Sequence, residues 1–201
     1  MLEQKYSCIV CGIDEVGRGP LAGPVVASCV YIPEPVRRKR FLREINDSKQ
    51  VAAPKREALY DNIREHCHYG LGVVSSEEID SLNIHHATLL AMRRAYEGLH
   101  EDFGIKPQVA LVDGKFKPQL SCECEAVTKG DSISISIAAA SIFAKVTRDR
   151  MMARLHEEYP HYGWERNAGY GTPEHLEGIK IYGITPYHRR SFAPVREALG
   201  A

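Results

Sequence analysis

The stretch CGIDEVGRGPLAGPVVASCVYI, Cys11 to Ile32, places the tightest constraint on the fold. Its apolar flanks, rich in β-branched residues, read as two buried strands. Between them stand two adjacent carboxylates, Asp14 and Glu15, followed at once by Gly17, Arg18 and Gly19. A core strand therefore finishes in negative charge. The same alternation predicts strands near 8–14, 20–32, 69–75, 108–113 and 124–128. Helices fall between and after them. Pro54 opens one as a first-turn proline, with Leu59, Ile63 and Cys67 at helical spacing, and another carries Leu89, Met92, Tyr96, Leu99 and Phe103 on one stripe. A long alanine-rich helix follows Asp131, suited to close approach to a sheet, and Thr172-Pro173-Glu174 has the form of a cap and first turn. Early strands joined by tight turns, then strands alternating with helices, describe a mixed α/β sheet covered by helices, which places its chemistry at strand ends.

The 201 residues are expected to form one domain, without repeats or low-complexity tracts. No apolar run approaches a bilayer span and the first residues lack the layout of a signal peptide, so the expectation is a cytosolic protein without membrane contact. With 26 basic and 26 acidic side chains, net charge does not announce a nucleic-acid binder. Basic clusters do occur at 37–43, 145–150 and 188–190, each read alone as a solvated helix face. The six cysteines are expected as free thiols, and Cys8 and Cys11, three apart along a strand, face opposite sides.

Four acidic residues stand where strands finish or helices begin: Asp14, Glu15, Asp113 and Asp131. Each has a structural alternative. Asp113-Gly114 suits a hairpin turn, Asp131 suits a helix cap, and Asp14-Glu15 suits a solvated strand end. Converging on one sheet edge, however, four carboxylates repel one another unless cations sit between them. Mg2+ and Mn2+ prefer oxygen ligands, and two such ions about 3.5–4 Å apart hold an attacking water and a leaving oxygen in line across a phosphorus. Neighbouring strand residues point to opposite faces, so Asp14 and Glu15 are expected to share a site through a twist or bulge that Gly17 and Gly19 would permit. A histidine acid–base pair is the competing chemistry, but none of the nine histidines, His175 and His188 included, sits in a catalytic spacing. Zinc-hydrolase, dinucleotide, P-loop and nucleophile-elbow signatures are absent.

The run GIDEVGRGPLAGPVV, then NDSKQ at 46–50, LNIHHATLLAM at 82–92, LVDGK at 111–115, KGDSISISIAAASIFAKVTRDR at 129–150, GYGTPEH at 169–175 and HRRSF at 188–192 together resemble bacterial ribonuclease HII over nearly the whole chain. The resemblance implies a ribonuclease H-like fold: a mixed five-stranded sheet flanked by helices, with a C-terminal helical extension from about 160. It implies endonucleolytic cleavage of RNA paired with DNA, and 5′ of a single ribonucleotide in duplex DNA, leaving 3′-hydroxyl and 5′-phosphate ends. By the same resemblance Asp14, Glu15, Asp113 and Asp131 hold Mg2+ or Mn2+, two ions during catalysis. Gly17, Arg18 and Gly19 sense the ribose, and Tyr170 packs at the RNA–DNA junction. Ser48, Lys49 and Asn83 fall in motifs near the nucleic-acid backbone, and Lys145 and Arg148, on one helix face, are expected to meet phosphates. These residue types suit the task. A site that hydrogen-bonds a hydroxyl rejects the analogue lacking it by about 10⁴–10⁵, and a tyrosine between two glycines suits stacking. The expected partners are hybrid duplex or ribonucleotide-containing DNA, a monomer is the default state, and SFAPVREALGA is a candidate contact for a replication factor. Two departures stand out: Ala168 where relatives often carry lysine, and Ala53 where a helix cap is usual. The related ribonuclease HIII type usually carries an added N-terminal substrate-binding domain, which is not expected here, with 13 residues before Asp14. A silent hybrid-binding module and a DNA-junction nuclease of the same fold are the alternative readings.

Overall fold

A computed structural model describes residues 1–45 and 51–200 of the chain. Five strands, β1 (Val10–Val16), β2 (Val25–Tyr31), β3 (His68–Val74), β4 (Val109–Asp113) and β5 (Glu123–Val127), form one mixed sheet in the order β3-β2-β1-β4-β5. The first three pair antiparallel, while β1, β4 and β5 run parallel. This is the mixed five-stranded sheet expected from the sequence. The second strand is shorter than expected, because residues 17–24 turn rather than extend. Gly17 and Gly23 take φ of +92° and +83°, and Pro20 and Pro24 have no N–H to give a ladder. Asp113-Gly114 closes no hairpin either, since β4 and β5 are parallel.

Helices cover both faces. On one side α2 (Ser76–Phe103) lays Ala87, Ala91, Met92, Ala95 and Leu99 against Cys11, Ile13, Ala27, Cys29, Ala110 and Val112. Phe103, at the end of the expected stripe, is instead 39% exposed and packs its ring on Tyr69 and His68. On the other side α3 (Ile135–Glu158) and α1 (Ala53–His66) pack on Val30 through Leu59, Ile63, Ala139, Ile142 and Phe143. The alanines of α3 meet the sheet so closely that a Cβ on Gly12 of β1 would lie 2.1 Å from the Ser136 carbonyl carbon. Cys11 joins the α2 face and Cys8 packs on the opposite one, as alternation requires, and all six cysteines are free.

Caps explain the helix boundaries. Ser75 and Glu78 form a reciprocal capping box on α2, and Thr172 caps α5 (Pro173–Tyr182) as expected. The cap of α3 is Ser134, whose hydroxyl accepts from Ile137 N–H, and not Asp131. Glu3 reinforces it by accepting from the Ser134 hydroxyl at 2.7 Å and the Ser136 amide at 2.9 Å. Ala52, rather than Ala53, holds the cap position of α1, without a side-chain bond. The short helices α4 (Trp164–Asn167) and α6 (Ala193–Ala198) join α5 in a third apolar cluster with Leu21, Ala22 and Met152, so the C-terminal helices rest on the β1–β2 connection. Among the described residues no helix is long and apolar enough to cross a membrane.

Candidate active site

Parallel pairing between β1 and β4 stops at Ile13 opposite Val112. One step further along both strands sets Asp14 beside Asp113, on the face shared with Gly12 and Leu111. Asp14 there receives a hydrogen bond from Ser141 of α3, and its Oδ1 accepts the Glu15 amide at 2.7 Å. Asp113 Oδ1 accepts from the Gly130 amide at 2.8 Å. Glu15 leaves on the opposite face, where it lines a cleft of about 130 Å³ with Arg18, His85, Asp113, Lys115 and Phe116. No bulge is needed: Asp14 and Glu15 pair regularly with Ser28 and Ala27. The strand simply outruns β4, and at an open strand end both faces reach the same space. A larger cavity, about 610 Å³ beside Tyr96, His100 and Cys122, sits at the other end of β4 and holds none of these acids.

Burial and mutual repulsion dominate the electrostatics of these carboxylates. Burial pushes the Asp14 carboxyl well above the usual carboxylate range, and repulsion from Glu15 and Asp113 pushes it further. Burial raises Glu15 as well. Its pairing with Arg18 at 3.4 Å opposes that rise, Asp113 adds to it, and the net shift is upward. Three carboxylates thus share one field that Arg18 only partly offsets, and their oxygens are the hard donors Mg2+ and Mn2+ prefer. Asp131 directly follows Gly130, whose amide donates to Asp113 Oδ1. It sits in the turn Gly130–Ser132, and residues 131–135 border a cavity of about 170 Å³ with Met1 and Arg43. Among the described residues no three His, Cys, Asp or Glu side chains, those of Asp14, Glu15 and Asp113 included, stand as a ready-made ligand sphere.

Next to the acids the Gly17–Gly19 turn meets the tyrosine loop. A Cβ on Gly19 would lie 3.3 Å from Tyr170 Cε1, and the Leu21 amide donates to the Gly169 carbonyl at 2.8 Å. The Tyr170 ring remains 48% exposed. Two arginines hold this arrangement from beneath. Arg148, expected on the surface as a phosphate contact, is 0% exposed and donates to the carbonyls of Pro24, Ala168 and Ala22 at 2.8, 2.8 and 3.1 Å. Its charge is spent inside the protein, which corrects the expectation. Arg189, also 0% exposed, donates to the carbonyls of Gly17, Arg18 and Gly23. Sequence reasoning missed it, because HRR at 188–190 reads as a surface cluster. Burial lowers Arg148 to about 10, and burial with repulsion from Arg148 lowers Arg189 to about 9.

The other expected contacts divide. Lys145 is paired to Asp149 at 2.7 Å, one turn along α3. Asn83 takes φ of +64° inside α2, and its Oδ1 accepts from the amides of His85 and His86, restarting the helix beside the cleft. Ser48 and Lys49 lie outside the described residues. His175 and His188 are buried against each other, not facing the acids.

The family model described as Ribonuclease HII matches residues 11–195. The chain belongs to the ribonuclease HII family. The ribonuclease HII of Paramagnetospirillum magneticum (strain ATCC 700264 / AMB-1) is 53% identical over 98% of this chain and 96% of its own. The ribonuclease HII in the PCNA complex from Archaeoglobus fulgidus superposes with a TM-score of 0.68 at 28% identity, covering 92% of this chain and 95% of that one. Bst ribonuclease HIII, solved in complex with Mn2+, superposes with a TM-score of 0.82 at 20% identity, covering 98% of this chain and 71% of that one, a likeness of fold. The ribonuclease H-like fold is thereby established. Members of the ribonuclease HII family are hydrolases that cleave the RNA strand of RNA–DNA hybrids, and this chain is a ribonuclease.

Proposed function

We propose that this ribonuclease incises duplex DNA on the 5′ side of a single embedded ribonucleotide as well as cutting longer hybrids, leaving 3′-hydroxyl and 5′-phosphate ends. The observation that carries the reading is the juxtaposition of the Asp14–Glu15–Asp113 trio with the Gly17–Gly19 turn and the exposed Tyr170 ring. In this reading Asp14, Glu15 and Asp113 hold Mg2+ or Mn2+, and Asp131 completes the set from the turn that Gly130 ties to Asp113. Such ions, when bound, supply an activated water and offset charge on the phosphodiester. The Mn2+ in the Bst ribonuclease HIII structure supports that assignment. The chain's own part is positioning. Backbone groups of Gly17 to Gly19, fixed by Arg189, meet the 2′-hydroxyl, and Tyr170 stacks at the junction, an interaction worth about 1–3 kcal/mol. Lys145, Asn83, Ser48 and Lys49 are assigned to the flanking backbone.

We assign residues 1–201 to a single domain that acts as a cytoplasmic monomer. The C-terminal segment from Ser191 is proposed to reach a replication factor, a reading supported by the PCNA complex of the Archaeoglobus relative. Within that segment α6 docks through Val195 and leaves Leu199 47% exposed. A duplex bearing one ribonucleotide, incubated with and without EDTA, tests the activity. Cleavage confined to the metal-containing sample and ending in 3′-hydroxyl is the expected result. Metal-independent cutting, a cyclic phosphate end, or equal cutting of all-DNA duplex would each refute it.

A further inference from the structure

Beneath Tyr170 lies a chain of hydrogen bonds with one direction. The Thr185 backbone N–H donates to His188 Nδ1 at 2.9 Å, so that nitrogen carries no proton and the neutral ring is protonated on Nε2. His188 Nε2 faces His175 Nε2 at 3.0 Å, and the indole N–H of Trp164 donates to the same atom at 3.1 Å. His175 Nε2 is therefore the acceptor and its proton sits on Nδ1, 2.9 Å from the Tyr170 carbonyl. Every tautomer is fixed by an obligatory donor, and both rings are buried, His175 fully. The carbonyl they reach belongs to a loop under conformational load. Ala168 and Gly169, just before Tyr170, take successive positive φ values of 49° and 83°. Two apolar side chains would fill the same space without burying imidazoles, but neither would bond that carbonyl.

We propose that His175, oriented by His188 and Trp164, is a positioning residue that sets the Tyr170 ring over Gly19, and thereby the preference for a single embedded ribonucleotide over continuous hybrid. The inference rests on the reading of Tyr170 given above. It goes beyond it by assigning control of that residue to a buried imidazole pair with no solvent contact.

Two substitutions separate positioning from stability. The side-chain amide of asparagine falls near the Nδ1 position of histidine, and that of glutamine near Nε2. His175→Asn thus keeps a donor toward the Tyr170 carbonyl and abandons Trp164 and His188. His175→Gln does the reverse. Val195→Ala, in the same apolar cluster but outside the relay, is the stability control. With Mg2+ present, kcat/KM is measured for each on a duplex with one ribonucleotide and on a long hybrid, beside the thermal midpoint. His175→Gln is expected to lose roughly three- to tenfold on the single-ribonucleotide duplex relative to hybrid, the value of one buried hydrogen bond. His175→Asn should stay within about twofold of the parent despite its lower midpoint, and Val195→Ala should leave the ratio unchanged. In a Tyr170→Ala background His175→Gln should cost nothing more. Selectivity that follows the thermal midpoint across the three variants, or a loss that persists in the Tyr170→Ala background, would overturn the relay. An impaired Tyr170→Ala beside an unaffected His175→Gln would overturn the relay alone, whereas an unaffected Tyr170→Ala would overturn both readings.

Discussion

Replacing Arg148 by methionine separates a surface phosphate contact from an internal clamp. Methionine keeps much of the side-chain volume, so the cavity contribution is small. It removes bonds to three backbone carbonyls, those of Ala22, Pro24 and Ala168. At about 1.5–3 kcal/mol for each bond from a charged donor, the gross loss is about 5–9 kcal/mol. Part returns, because the substitution relieves the burial of a guanidinium held at about 10, down from 12.5, a relief of about 3 kcal/mol. The net destabilisation is about 2–6 kcal/mol, which for a chain of this size lowers the thermal midpoint by roughly 5–20 °C. Urea unfolding gives the free energy, and titration of a hybrid duplex at several salt concentrations gives the electrostatic slope. The clamp predicts a large stability loss with an unchanged slope. A midpoint within about 1 °C of the parent, together with a slope reduced by about 0.9, would refute it in favour of a phosphate contact.

Asp14→Asn should lower cleavage by at least about 10²-fold while stabilising the protein in EDTA by about 0.5–2 kcal/mol. The folded Asp14 carboxyl sits above its unfolded value of 3.8, so its penalty grows as pH rises from there through the folded value; thermal scans in EDTA should show that decline flattened in Asp14→Asn. Gly12→Ala drives a methyl into the α3 backbone at Ser136 and should cost at least about 1–3 kcal/mol in denaturant titrations. Glu3 behaves oppositely to Asp14: burial pushes its carboxyl up, but bonds from Ser134 and Ser136 outweigh this and hold it below 4.5. Its contribution is therefore complete above that pH and lost as pH falls through the lower folded value, so urea melts should show Glu3→Gln weaker than the parent at pH 7, with the gap closing in acid.

Much of the fold was legible because it is written in local periodicity. The alternation in β1, the stripe of α2, the alanines of α3 and the cap at Thr172 each express a rule that acts within a few residues. Of the candidate site, Asp14, Glu15 and Asp113 were readable as charge at apolar strand ends. The misreadings share a cause. Arg148 and Arg189 lie in clusters that look solvated, and nothing nearby in sequence discloses that carbonyls more than 120 positions away consume their donors. Asp131 and Ser134 are both capping residue types three positions apart, and only the docking of Glu3 beside Ser134 distinguishes them. The bulge expected near Gly17 proved unnecessary because the relative lengths of β1 and β4, invisible in either strand alone, already open the strand end.

The carbonyls of Gly17, Arg18 and Gly23 take their donors from Arg189, and the Gly23 amide donates to the Tyr187 carbonyl. Synthesis is vectorial, so the turn beside the acids leaves the ribosome long before the residues that will stitch it. Nascent protein thus carries Asp14 and Glu15 early, while the adjoining turn gains its internal donors last. A truncated product lacking residues 187–189 would keep the carboxylate-bearing sheet but leave the carbonyls of Gly17, Arg18 and Gly23 without their Arg189 donors.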